Sequence, residues 1–233
     1  MTRQITGQIT GQMRRWQRIA AIGIASVALM AGSGVQAAGV WNGAGTTPPI
    51  FNSSETQSTH VAMFPKWQGA LGRYFNERQL TDGSCESSFF NRCHLREWSA
   101  FLDGLKGKPP HEQVNAVNHF MNRVRYIIDP RNYGVPDYWA TPREFLSRNG
   151  DCEDYAIAKY LSLRALGFTP SQLRVVVLQD LNLKVAHAIL VVYLNGRALV
   201  LDNQIRGVVS ATTIRHYKAI YSINEQFWWL HRS

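Results

Sequence analysis

Beyond residue 40 this 233-residue chain has no apolar run long enough to cross a bilayer as a helix, which excludes a helical membrane domain. Clustered positive charge is also missing. The formal charge is +9, but four arginines (Arg3, Arg14, Arg15 and Arg18) stand in the first 38 residues. The remainder carries 21 basic residues against 16 acidic, scattered along the chain, so there is no footprint for nucleic acid. Acid is absent from the first 38 residues, and no charge of either sign lies between Arg18 and Glu55. The ligand spacing of an EF-hand is absent too. Cysteine is scarce, with three residues at 85, 93 and 152.

What is present begins with an export signal. The early arginines precede the apolar run "IAAIGIASVALM", and "AGSGVQA" follows with small residues at Val35 and Ala37. This reads as a secretory signal peptide over residues 1–37, and a retained anchor is the alternative. Residues 38–58 are rich in Gly, Thr, Pro, Ser and Asn and read as a flexible lead-in. One domain is expected over 59–233. Export implies an oxidising compartment, which makes "CESSFFNRC" a disulfide loop joining Cys85 and Cys93. Cys152 is then left unpaired.

Helical periodicity is expected from about Phe64 to Gln79, His94 to Leu105 and Pro110 to Ile127. "DPRNYGVPDYWA" reads as an irregular connection. In "TPRE", Thr141, Pro142 and Glu144 form a capping box for a short helix that Gly150 ends. After Gly167 the period changes. "LRVVVLQD", "AHAILVVYL", "RALVLDN", "HYKAIYSI" and "QFWWLH" read as strands, with Trp228 and Trp229 as core residues of the last. Helices followed by strands indicate an α+β fold with one mostly antiparallel sheet.

The segment "NGDCEDYAIAKYLSLRALG" places a cysteine where loop becomes helix. Asp151 is a fitting N-cap, so Cys152 falls in the first turn, where free N–H groups and the helix dipole favour a thiolate. Asp151, Glu153 and Asp154 oppose that charge unless a cation neutralises them. Their oxygens are hard ligands, better suited to Ca²⁺ than to Zn²⁺. Acids that simply decorate a helix N-terminus account for the same residues, and both readings stay open at this point. A nucleophilic cysteine also needs a base and an orienting group. Asn195-Gly196 predicts a two-residue hairpin in which Leu194 faces Arg197. That register puts Asp202 diagonally across from His187 on one face of the sheet, about 7–8 Å apart by backbone and within side-chain reach.

Cysteine at a helix start, histidine on a later strand and aspartate on the next is the order of the transglutaminase-like fold, itself papain-like. "GDCEDYAIAKYLSLRALG", "AHAILVV" and "VLDN", with "VNAVNHFMNRVRYIID" and "DYWATPREFL" before them, closely resemble the bacterial transglutaminase-like cysteine proteinases, the LapG-type periplasmic proteases. The resemblance runs from about Phe64 to the C-terminus. It implies that Cys152 is the nucleophile, His187 the base and Asp202 the orienting carboxylate. It implies a calcium ion held by Asp151 and Glu153, with Asp154 matching less closely. It further implies a large surface adhesin as substrate, biofilm dispersal as outcome, and an inner-membrane cyclic-dinucleotide receptor that sequesters the protease. Acyl transfer to an amine, amidase action, and a non-catalytic binding module on the same fold are the competing readings.

Overall fold

The computed structural model describes residues 47–78 and 93–232. The signal-peptide segment, the first part of the lead-in, Cys85 and the side chain of Cys93 lie outside the described residues, and the expected disulfide with them.

The described elements run in chain order. Strand β1 is Ser54–Ser58, followed by helices α1 (Pro65–Glu77), α2 (Cys93–Leu105), α3 (Pro110–Met121), α4 (Asp129–Asn132), α5 (Pro142–Arg148) and α6 (Cys152–Ala165). Strands β2 (Leu173–Asp180), β3 (Val185–Leu194), β4 (Arg197–Leu201), β5 (Val209–Ser210), β6 (Tyr217–Ile223) and β7 (Trp228–Arg232) complete the chain. The strands form one sheet in the order β1-β7-β6-β2-β3-β4-β5, every neighbouring pair antiparallel. This is the expected α+β arrangement, helices followed by one antiparallel sheet.

Helix α6 is the axis of the packing. Residues Glu153 to Leu163 are buried without interruption, as expected of a helix enclosed on all sides. It lies on β3 and β2 with α3 and α5 packed over it. The main core fills this layer, with Trp67, Val117, Phe145, Ile157 and Leu161 meeting Val175, Val177 and Leu190 from the sheet. Because β2 and β3 are buried on both faces, their sequences read as continuous apolar runs.

The opposite face of the sheet corrects the lead-in reading. Ile50 is fully buried against Val176, Leu178, Ile189 and Val191, and Phe51 meets Tyr217 edge to face. Ser54–Ser58 pairs with β7 in full register. The segment "SETQS" has little intrinsic strand pattern, so tertiary contacts form it. Glu55 accepts from the buried Arg174 guanidinium at 2.6 Å, and Ser53 Oγ meets His231 Nδ1 at 2.7 Å.

A second correction concerns α3, which stops at Met121 rather than near Ile127. Ile127 donates its N–H to Gly150 O, and Tyr126 bridges Gly150 in parallel. Pairing with the segment just before Cys152 pulls these residues out of the helix.

Candidate active site and adjoining carboxylate cluster

The capping box at Thr141 and Glu144 starts α5 as the sequence predicts. Asn149 leaves it at a φ of 70°, and Gly150 follows in a space no side chain fits. A Cβ on Gly150 would stand 2.1 Å from Asp154 Oδ2. That oxygen accepts the Asp151 N–H at 3.2 Å, while Asp154 Oδ1 accepts the Ala140 N–H at 2.7 Å. Asp154 thus clamps the turn into α6 from inside and delivers Cys152 to the first helical position.

The β3–β4 hairpin has the expected register, Leu194 facing Arg197 and Leu190 facing Leu201. Asn195 and Gly196 both have positive φ, at 51° and 72°. The diagonal relation of His187 and Asp202 follows, and their side chains meet, His187 Nε2 to Asp202 Oδ1, at 2.9 Å. Asp202 is 0 % exposed. Its carboxylate also accepts from the Gln204 N–H at 2.8 Å and from Tyr217 OH at 2.7 Å, and its backbone carbonyl accepts from Asn122 Nδ2 at 2.7 Å. Burial pushes the Asp202 carboxyl up. The His187 hydrogen bond and charge, with the other donors, outweigh burial and hold it below its ordinary range.

With Nε2 engaged by Asp202, Nδ1 is the His187 nitrogen left for the thiol. Cys152 lies against the backbone N–H of Ala188, the neighbour of His187. Its thiol donates instead to Glu153 Oε2 at 3.2 Å. Burial and the Glu153 and Asp151 charges push the thiol pKa well up, the Ala188 N–H opposing them.

The acids beside Cys152 belong to a larger cluster than the sequence indicated. Asp129 and Asp137, from the connection read as irregular, join Glu153, and Asp129 also approaches Asp151 and Asp154. In each trio one ligand oxygen per residue lies within 4.8 Å of the others. Lys66 pairs with Asp137. Among the described residues Asp129 Oδ1, Asp137 Oδ1, Asp151 Oδ1 and Glu153 Oε1 are buried without a hydrogen-bond partner. Burial and mutual repulsion push Asp129 up to about 7, burial chiefly lifts Asp151 to about 6, and Glu153 and Asp154 rise well above the usual range. Four orphaned hard oxygens fit a hard divalent cation of the Ca²⁺ kind. Asp154, with both oxygens engaged by backbone N–H groups, contributes mainly to the turn.

A model of the bacterial transglutaminase-like cysteine proteinases matches residues 91–231. The solved structure of Legionella pneumophila LapG is 33 % identical, covering 69 % of this chain and 87 % of that one, with a TM-score of 0.56. The chain belongs to the bacterial transglutaminase-like cysteine proteinases.

LapG has also been solved calcium-bound (33 % identity, the same 69 % and 87 % coverage, TM-score 0.57). An EGTA-treated form is 32 % identical, with 70 % and 87 % coverage and a TM-score of 0.57. Among curated proteins none matches the chain. As a member of this family the protein is a cysteine protease with a protein substrate. Its Asp129 and Asp137 escaped the sequence reading because each stands beside a proline in a segment without periodicity. Two acids in the connection leading to the Cys152 helix were the available signal. A cavity of about 390 Å³ lined by Tyr74, Trp98, Arg143 and Ala165 lies at the far end of α6, away from this chemistry.

Proposed function

We propose that this proteinase is a calcium-dependent periplasmic endopeptidase. It cleaves the N-terminal region of a large surface adhesin through a Cys152–His187–Asp202 triad, releasing the adhesin from the cell and dispersing biofilm. The observation that carries the triad is the buried His187–Asp202 hydrogen bond, 2.9 Å long, beside the strand residue that faces the Cys152 thiol. Asp202, held ionised by the three donors on its carboxylate, fixes the imidazole ring and its tautomer. His187 Nδ1 takes the thiol proton as Cys152 attacks the peptide carbonyl, and returns it to the leaving amine. The first N–H groups of α6 have no intrahelical acceptor and suit the developing oxyanion.

Asp129, Asp137, Asp151 and Glu153 would hold the calcium ion, through the four oxygens left without partners. When bound, calcium supplies the positive charge that lets these carboxylates remain ionised together. The signal-like residues 1–37 support export, and the resemblance to the LapG-type proteases supports the adhesin and an inner-membrane cyclic-dinucleotide receptor as partners.

The test incubates the protein with N-terminal fragments of large adhesins from the same genome, in calcium or chelator, and identifies the products by mass spectrometry. One internal cut in calcium, absent with chelator and absent from Cys152→Ala, is expected. Cleavage that persists in excess chelator would remove calcium from the proposal, and intact adhesin fragments under every condition would remove the adhesin.

A further inference from the structure

Gln204 stands two residues beyond the orienting carboxylate and opposite His187 when the β3–β4 register is continued past Leu201. Its backbone N–H is anchored on Asp202 Oδ1 at 2.8 Å, and its side-chain Nε2 lies 3.5 Å from His187 Nδ1. Nδ1 is the nitrogen that Asp202 leaves to the thiol, and the thiol lies against the N–H of Ala188, one residue along. The carboxamide therefore stands next to the nitrogen that takes the thiol proton. Asp202 is sealed from solvent, whereas Gln204 is exposed, so a substrate carbonyl can reach its amide. A carboxamide is uncharged and cannot serve as the base, but its NH₂ offers two donors. At 3.5 Å its contact with Nδ1 is long, so little is lost when one donor turns to another acceptor.

We propose that the Gln204 side-chain amide donates a hydrogen bond to the carbonyl oxygen of the scissile bond, acting as an oxyanion donor in the Cys152 reaction. This rests on the triad reading above. As the Cys152 sulfur bonds to the carbonyl carbon, the C=O π pair moves onto oxygen, and the Gln204 N–H meets the charge that develops there. On collapse that pair re-forms the carbonyl and the C–N bond breaks. The amine departs with the proton His187 took from Cys152. Gln204 keeps its own protons throughout.

Two reactions of the same thiol separate this role from a structural one. Acylation of Cys152 by p-nitrophenyl acetate, followed by p-nitrophenolate release, builds a tetrahedral oxyanion. Alkylation by iodoacetamide displaces iodide and builds none. In calcium-supplemented buffer, Gln204→Ala and the similarly sized, uncharged and donor-free Gln204→Met should acylate about 100-fold more slowly than wild type, the usual cost of one oxyanion donor. Their alkylation rates and unfolding temperatures should stay at the wild-type values, and Cys152→Ala supplies the background. Unchanged acylation would overturn the proposal. So would a fall in both reactions by one factor, which would mean that Gln204 acts on the thiol or on His187. A wild-type protein that neither acylates nor alkylates at Cys152 would overturn the triad reading and this inference together.

Discussion

Removing calcium should destabilise the protein more at neutral pH than in mild acid. Asp129 is 0 % and Asp151 1 % exposed, and the Asp129 carboxyl, without a cation, titrates near 7 against an ordinary 3.8. A raised carboxyl pKa means that the folded, cation-free protein holds a proton which the unfolded chain has released. Its stability therefore falls as pH rises between those two values. From pH 5.5 to pH 7.0 one such group costs about 2 kcal/mol, at roughly 1.4 kcal/mol per pH unit. Asp151 titrates in the same window with Asp129, and their protons belong to the pair, so the two costs do not simply add. For a domain of this size about 2 kcal/mol is roughly 4–8 °C in Tm. His231, whose burial lowers its pKa to about 4, has the opposite slope below pH 6.5, but it contributes equally with and without calcium. The readout is consequently a difference: Tm with saturating calcium minus Tm of metal-stripped protein, by circular dichroism, at pH 5.5, 6.25 and 7.0. The gap should widen with pH. A constant or narrowing gap would refute the crowded-carboxylate account.

Cys152→Ala and His187→Ala should each abolish cleavage with little change in thermal stability for the first, since nucleophile and base act as one unit; wild-type rates in either would dismiss the triad. Tyr217→Phe removes a donor from a buried carboxylate and should cost roughly 1.5–3 kcal/mol in urea unfolding, with slower cleavage; an unchanged midpoint would mean that the 2.7 Å bond adds nothing. Gly150→Ala forces a methyl onto Asp154 and should lower both Tm and calcium affinity, and calorimetry matching wild type would refute the clamp. Asp129→Asn and Asp137→Asn should each weaken calcium binding by titration calorimetry, with metal-free stability equal or higher for Asp129→Asn and lower for Asp137→Asn, which gives up the Lys66 ion pair; unaltered affinity would take that residue out of the site.

The sequence made the meeting of His187 and Asp202 legible because its determinants are local. Asn195-Gly196 dictates a two-residue turn, the turn dictates register, and register carries His187 to Asp202. The start of α6 was equally legible, since capping chemistry is read within four residues. The cluster was half legible. Asp151 and Glu153 adjoin the cysteine, whereas Asp129 and Asp137 arrive through the Ile127–Gly150 pairing, a contact with no periodic signature. Strand β1 was missed for a related reason. Its five residues carry no alternating apolar pattern, and the information that orders them lies in Arg174, His231 and the open edge of β7.

That first strand also bears on how the protein can be shortened. A chain trimmed to begin at residue 59, the boundary that composition suggests, would lose the only carboxylate that pairs with Arg174 in the described structure. It would also strip the cover from Val176, Ile189 and Val191 and leave Trp228–Arg232 as a bare edge, five residues of unpaired backbone beside two tryptophans. Such an edge recruits the nearest matching strand, and in a concentrated sample that strand belongs to another molecule. A boundary placed before Ile50 keeps the shield, so the serviceable start of the folded unit lies at least nine residues earlier than its composition suggests.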